Sequence, residues 1–189
     1  MKKILLPLIA VGLLAGRQTL LAATEDFTIS LDAPQEGDPT DTSAASGSGT
    51  LTLDTAANTL TFNNIIWSGL ESDSTVSHIH GPAAAGVNAN PIYFLSAPGT
   101  FTTTGAAIRN GTISGTLTLT DPPGVGPAYS IANQISDLEG GLWYINIHSS
   151  VFPNGEIRGQ ILPVPEPSIL ALFGLSASAL LWHLRRRGG

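Results

Sequence analysis

Hydrophobic and polar residues alternate along most of the chain, which is the period-two pattern of half-buried β-strands. In the first such segment, Phe27, Ile29 and Leu31 alternate with Thr28 and Ser30. The same pattern returns in seven later segments: Thr50–Asp54, Thr59–Trp67, Val76–His80, Ile92–Leu95, Ile113–Thr120, Leu142–His148 and Glu156–Leu162. Clusters of Gly, Pro, Asn and Asp separate these Thr-rich segments. The pattern predicts an all-β fold, an antiparallel Greek-key-like β-sandwich of about eight strands.

Two segments depart from this alternation. Ile131, Ile135, Leu138 and Leu142 follow the i, i+4, i+7, i+11 spacing of a helix, and the glycine pair at 140–141 interrupts it. We therefore expect one short helix, packed across an end of the sandwich. Residues 33–48 are polar, acidic and small, which predicts a long loop.

The first 23 residues have the organisation of a secretory signal peptide. Lys2 and Lys3 precede the apolar run Ile4–Ala15, and small residues follow at Ala22 and Ala23. Residue 17 is an arginine, which interrupts the apolar run too early for a membrane-spanning helix of about 20 residues. We expect residues 1–23 to be removed, with an uncleaved anchor as the alternative.

Residues 164–189 have a different organisation. A Pro-Glu-Pro motif, an apolar stretch and a basic cluster follow one another: Pro165, Glu166 and Pro167, then Ile169–Trp182, then Arg185, Arg186 and Arg187. The 14 apolar-stretch residues would form a helix of roughly 21 Å, short of a hydrocarbon core of about 30 Å. Arginines held at the cytoplasmic face would still allow this C-terminal apolar helix to insert transiently into the inner membrane.

This arrangement resembles the PEP-CTERM sorting signal of Gram-negative bacteria. The resemblance implies export through the secretion machinery, recognition by an exosortase, removal of the tail, and delivery to the cell surface or extracellular matrix. The alternative is a permanent single-span tail anchor.

The charge distribution excludes several classes of function. The net charge is −6, but residues 24–163 carry 13 acidic residues against Arg109 and Arg158, with no lysine. A domain this acidic repels phosphate backbones, so we expect no nucleic-acid binding. The chain has no cysteine, so disulfides, thiolate catalysis and cysteine-ligated zinc are excluded.

Three of the four histidines lie in distinctive segments. His78-Ile79-His80 opens into a Gly-Pro turn, and His148 ends a strand shortly before the run Gly-Glu-Ile-Arg-Gly-Gln at residues 155–160. Side chains two apart on a strand point to the same face, so His78 and His80 present their imidazoles together. His148 joins them if its strand pairs nearby.

These segments, together with the opening strands, resemble the CHRD domain over about residues 27–162. The ordered pair His-Ile-His-Gly and Gly-Glu-Ile-Arg-Gly-Gln is a specific signature. The opening loop departs from the family, because Gly37-Asp38-Pro39 replaces a more hydrophobic run. The resemblance implies one domain at 24–163, between the signal peptide and the sorting signal, but it implies little chemistry because the molecular role of CHRD domains is not established.

The residues themselves suggest a metal site. His78, His80 and His148, with Glu156, are a plausible ligand set for Zn²⁺ or Cu²⁺. The alternative is that the histidines hydrogen-bond loop backbones and hold the turn. Glu156 and Arg158 share a strand face, so an ion pair that fixes strand register is the competing role for Glu156.

Other side chains offer weaker functional signals. The acidic loop could bind a cation through Asp32, Glu36, Asp38 and Asp41, although its spacing is not that of a regular Ca²⁺ loop. We expect Trp67 and Trp143 to pack in the core, whereas an exposed tryptophan would suit a sugar platform.

Together these features predict a non-enzymatic, exported surface or matrix protein. Its expected role is adhesion within an extracellular polysaccharide layer or biofilm, with polysaccharide or surface proteins as partners. The competing prediction is a metal-binding domain or metalloenzyme that uses the three histidines.

Overall fold

The computed structural model describes residues 24–38, 40–95, 101–104 and 109–165, with backbone only at 101–104. The predicted signal peptide, the C-terminal apolar helix, and the sorting residues Glu166, Pro167 and Arg185–Arg187 lie outside the described residues. The described part contains nine strands, one α-helix and a short 3-10 turn at Pro34–Glu36. The elements are β1 (Thr24–Asp32), β2 (Ser46–Asp54), β3 (Thr59–Ser68), β4 (Ser74–His80), β5 (Pro91–Phe94), β6 (Phe101–Thr104), β7 (Gly111–Thr118), α1 (Ile131–Glu139), β8 (Tyr144–Ser149) and β9 (Ile157–Pro163).

The nine strands form one antiparallel sheet in the order β5-β4-β8-β9-β1-β2-β3-β7-β6. Strands β1 to β3 form a meander, and β4 then lies on the far side of β1 with β8 and β9 between them. The sheet curls around one hydrophobic core. The all-β antiparallel prediction with one short helix is confirmed. Hydrogen bonding is continuous from strand to strand, so the two halves of the predicted sandwich belong to a single curled sheet.

Alternation along the strands accounts for the core. Phe27, Ile29 and Leu31 of β1 are buried, whereas the threonine and serine between them are exposed. Trp67 and Trp143 are buried in the same core, as predicted. Burying residues of this size supplies roughly 1.5–3 kcal/mol each, so the core is the main source of stability.

The helix α1 begins and ends close to its predicted bounds. The hydroxyl of Ser130 accepts a hydrogen bond from the backbone N–H of Asn133 at 3.3 Å, which caps the first turn. Gln134 and Leu138 face the interior. Leu142, which the spacing had included, lies beyond the end of the helix because Gly141 adopts a left-handed conformation with φ +67°.

Two strand regions depart from the sequence pattern. Strand β6 was not predicted, and β2 begins at Ser46, inside the segment predicted as a loop. The run Ser-Gly-Ser-Gly at residues 46–49 has no apolar side chain, so the period-two pattern of a strand cannot be seen there. Its glycines are needed for close packing, since a Cβ on Gly49 would lie 2.6 Å from the Cα of Ile65.

No helix within the described residues is long and apolar enough to cross a membrane.

Candidate metal centre

The three histidines of the CHRD-like signature come together on two paired strands. His78 and His80 lie two residues apart on β4, and His148 lies on the adjacent antiparallel strand β8. Ile79, between the first two, belongs to the hydrophobic core, so the histidines project from the opposite face of the sheet. One ligating nitrogen from each ring lies within 4.8 Å of the others. We call these three residues the histidine cluster.

The histidine cluster is buried although it lies outside the hydrophobic core. Its three residues are only 8–9% exposed, because aromatic side chains and loops cover the face. His78 contacts Phe94 edge to face, with ring centroids 4.7 Å apart. His80 stacks on Tyr144 at 4.9 Å, with an interplanar angle of 14°. The rings are therefore held in fixed orientations.

Backbone carbonyls determine the position of the ring protons. Nδ1 of His80 lies 2.8 Å from the carbonyl oxygen of Ala89, and Nδ1 of His148 lies 3.0 Å from that of Pro153. A carbonyl oxygen only accepts, so both neutral rings carry their proton on Nδ1 and a lone pair on Nε2. Nε2 of His148 can then accept from Nδ1 of His78 at 3.1 Å. Nε2 of His78 and Nε2 of His80 are buried without a partner.

The surroundings keep these imidazoles neutral. Burial lowers the pKa of His78 to about 4, and the neighbouring His148 and His80 add to the effect. Burial likewise lowers the pKa of His80 and of His148, against the opposing effect of their carbonyl hydrogen bonds. Lone pairs are therefore available at neutral pH, as metal coordination requires.

The donor set fits a borderline transition-metal ion. Three neutral imidazoles suit Zn²⁺ or Cu²⁺, and structural or catalytic zinc sites commonly hold Zn–N distances near 2.0–2.1 Å. The 3.1 Å distance between Nδ1 of His78 and Nε2 of His148 is close to the roughly 3.3 Å that separates two nitrogens on one tetrahedral zinc at those bond lengths. Metal binding by this pair would require the His78 proton to move from Nδ1 to Nε2. The Nδ1–H bonds of His80 and His148 to carbonyls are the usual supporting contacts of metal-ligating histidines.

Glu156, the fourth predicted ligand, is not brought to the histidine cluster. Its side chain is 0% exposed. Its Oε1 accepts hydrogen bonds from the hydroxyl of Ser43 at 2.6 Å and from the backbone N–H of Glu71 at 2.7 Å. The carboxylate therefore joins the loops that precede β2 and β4.

Arg158 does not pair with a carboxylate in the described part of the chain, in contrast to the expected ion pair with Glu156. The residue is 1% exposed, and its guanidinium donates to the side-chain oxygen of Asn88 at 3.0 Å and to the carbonyl of Val87 at 2.7 Å. It also lies 3.4 Å from the centroid of the Tyr144 ring. Its role is to fasten the loop between β4 and β5 over the sheet.

Several residues of the site were not predicted from the sequence. Tyr144 and Asn146 share a sheet face with His148, and the period-two pattern of β8 was a signal that could have found them. The carbonyls of Ala89 and Pro153 could not be predicted, because every residue type supplies a backbone carbonyl.

These features define an all-β domain with a buried histidine cluster, and comparison with known proteins places it in a family. The CHRD domain matches residues 27–161, and the chain belongs to this family. The PEP-CTERM protein-sorting motif matches residues 163–187. Both resemblances are thus confirmed. A comparison with curated proteins found no significant match.

The two matches together establish the general class of the protein. A protein with a CHRD domain followed by a PEP-CTERM motif is exported by a Gram-negative bacterium. It is processed by an exosortase and associates with the cell surface.

Proposed function

We propose that this surface domain is a non-catalytic binding module that holds one Zn²⁺ or Cu²⁺ ion through His78, His80 and His148. The observation that carries the proposal is that one ligating nitrogen from each of the three rings lies within 4.8 Å of the others, and that Nε2 of His80 is buried without a hydrogen-bond partner. An ion bound at this place would take up the lone pair of His80 Nε2.

A purely structural role for the histidines explains the hydrogen bonds of their Nδ1 atoms but not the buried Nε2 side. The Nδ1–H groups of His80 and His148 hold loop carbonyls, which is the role that the alternative assigns to them. That role needs no second ring nitrogen. A buried acceptor left without a donor costs about 1–3 kcal/mol, so the arrangement favours a ligand at the Nε2 side.

Asparagine substitutions separate the two roles. The amide nitrogen of asparagine occupies nearly the place of Nδ1, so His80→Asn and His148→Asn can keep the carbonyl hydrogen bonds while removing the Nε2 ligand. We expect the purified protein to bind one equivalent of Zn²⁺ or Cu²⁺ by calorimetric titration, and its melting temperature to rise with metal. Each variant should lose tenfold or more in affinity while its circular dichroism is unchanged.

The matched control is His183→Asn in protein that retains the tail, because His183 is the histidine outside the CHRD domain. It should bind metal like the wild type. Absence of binding at micromolar metal, or equal affinity in His80→Asn and the control, would contradict the proposal and leave the histidines with their loop contacts alone.

Adhesion within an exopolysaccharide layer or biofilm is a second proposal, with polysaccharide or surface proteins as partners. It is supported by the sorting motif and by surface association. A metal ion at the histidine cluster is compatible with it, because the domain could bind both.

A further inference from the structure

A polar cavity of about 400 Å³ adjoins the histidine cluster. It is bounded on one side by His80 and Tyr144 and on the other by the 3-10 turn after β1. Its lining is rich in oxygen acceptors, and its residues are Glu36, Gly37, Asp38, His80, Asn88, Ala89, Tyr144, Asn146, Asn154 and Gly155. We call this space the acidic cavity.

Two buried oxygen atoms in the acidic cavity have no hydrogen-bond donor. The side chain of Asn146 is only 4% exposed, and its Oδ1 is buried without a partner. Its Nδ2 donates to the carbonyl of Asn154 at 3.3 Å, which fixes the amide orientation and leaves Oδ1 as the free acceptor. Oε1 of Glu36 is also buried without a partner.

Both oxygens lie next to Gly155. A Cβ placed on Gly155 would lie 2.5 Å from both Oδ1 and Nδ2 of Asn146 and 2.7 Å from Oε1 of Glu36. Gly155, which has a positive φ of +132°, therefore leaves room for both side chains beside its Cα. The chain thus brings a carboxylate from one loop and an amide oxygen from β8 to one place.

The surroundings supply acceptors and negative charge but no donor for this pair. Burial raises the pKa of Glu36 to about 7, and the negative charges of Asp41 and Asp38 contribute in the same direction. Arg158 opposes the shift, but its guanidinium donates to Asn88 and Val87 rather than to Glu36. A cation would provide what both oxygens lack.

We propose that the acidic cavity binds a second divalent cation of the oxygen-preferring class, Ca²⁺, with Oε1 of Glu36 and Oδ1 of Asn146 as direct ligands. Carboxylate and amide oxygens are typical Ca²⁺ ligands. Asp38, exposed at the rim, adds negative charge, and the cavity has room for water to complete the coordination. The site differs from the histidine cluster, which offers only nitrogen, so it does not depend on the function proposed above.

Glu36→Gln tests this assignment with little risk to the fold. Glutamine has the same shape, and its amide can donate to Oδ1 of Asn146, so folding should be retained. We expect the chelator-treated wild-type protein to bind one Ca²⁺ by calorimetry at pH 7.5, with a dissociation constant in the range of about 10⁻⁴–10⁻³ M that is common for extracellular modules. Glu36→Gln should weaken binding at least tenfold.

The matched control is Glu139→Gln, which makes the same change at an exposed carboxylate at the end of α1. It should keep wild-type Ca²⁺ affinity. Equal Ca²⁺ affinity in Glu36→Gln and Glu139→Gln would overturn the proposal. So would no Ca²⁺ binding to the wild type up to about 10 mM, which would mean that a proton on Glu36 bonds to Asn146 instead. Zn²⁺ binding in Glu36→Gln reports separately on the histidine cluster.

Discussion

Burial shifts the charge state of two residues, one in each proposed metal site, in the direction that removes charge. The pKa of His78 falls to about 4, and the pKa of Glu36 rises to about 7. Burial disfavours an imidazolium and a carboxylate alike. At neutral pH the histidine therefore offers a lone pair, whereas the glutamate is poised to exchange its proton for a cation.

The opposite shifts predict opposite contributions to stability as pH changes. The depressed pKa of His78 means that the folded state binds fewer protons than the unfolded state between about pH 6.5 and 4, so stability falls as pH falls through that window. The raised pKa of Glu36 means that the folded state binds more protons between about pH 4.5 and 7, so its contribution falls as pH rises.

Glu36→Gln should therefore gain stability relative to the wild type as pH rises from about 4.5 to 7. We expect a gain of about 1–2 kcal/mol, discounted because the carboxyl is only partly buried. Urea unfolding of metal-free protein at half-unit pH steps measures the difference. A difference between the two proteins that stays constant across this range would show that Glu36 titrates normally in the folded state.

At the residue scale, the sequence could predict part of the candidate site. Period-two geometry alone places His78 and His80 on one face. The 3.1 Å contact between His78 and His148 depends on the pairing of β4 with β8, which joins residues 70 positions apart. The position of Glu156 could not be predicted, because the loops that bind its carboxylate are distant in sequence.

At the scale of elements, the loop between β4 and β5 is the part that turns an exposed sheet face into a buried site. Side chains from β8 and β9 hold it by its backbone. Arg158 donates to Val87, Gln160 donates to the carbonyl of Ala83 at 2.9 Å, and the hydroxyl of Tyr144 accepts from the N–H of Ala89 at 3.0 Å. The carbonyl of Ala89, which orients His80, therefore depends on these ties.

Replacing Arg158 should loosen this loop and weaken metal binding together. Arg158→Met keeps apolar volume but leaves Val87 and Asn88 without their donor and removes the contact with the Tyr144 ring. We expect a loss of about 2–4 kcal/mol in the free energy of unfolding and a loss of about 10-fold or more in Zn²⁺ affinity. Thermal denaturation and calorimetry measure the two quantities.

Arg109→Met is the matched control, because Arg109 is exposed and lies away from the loop. It should change stability by no more than about 0.5 kcal/mol. If Arg158→Met also keeps both wild-type values, the loop is held by its other contacts and Arg158 is not a positioning residue.

The elements that the sequence predicted are those whose side chains alternate clearly. Eight strands and α1 fall near their predicted positions, because each carries apolar residues into the core. Strand β6 has only four residues, too few for a clear period. The start of β2 has glycine where neighbouring strands approach closely. Because glycine has no side chain, the hydrophobic pattern gives no sign of this packing.

At the scale of the whole molecule, the sorting motif follows directly on the folded domain. The backbone N–H of Val164 donates to the carbonyl of Asp26 at 2.8 Å, which ties the chain to β1. Pro165, the first residue of the Pro-Glu-Pro motif, is exposed and has no N–H to donate. The sheet therefore holds the chain up to the residue that precedes the motif.

This boundary predicts that removal of the tail leaves the domain intact. Protein isolated from the surface of its host should lack Arg185, Arg186 and Arg187 by intact-mass analysis, and its melting temperature should match that of protein that retains the tail. Replacing Pro165, Glu166 and Pro167 by alanine should leave the arginines in place and the protein in the membrane fraction, because the exosortase no longer recognises it. A surface-isolated wild-type chain that still ends in the arginine cluster would instead indicate a permanent tail anchor, and the acidic domain would then bind its cations at the membrane rather than in the matrix.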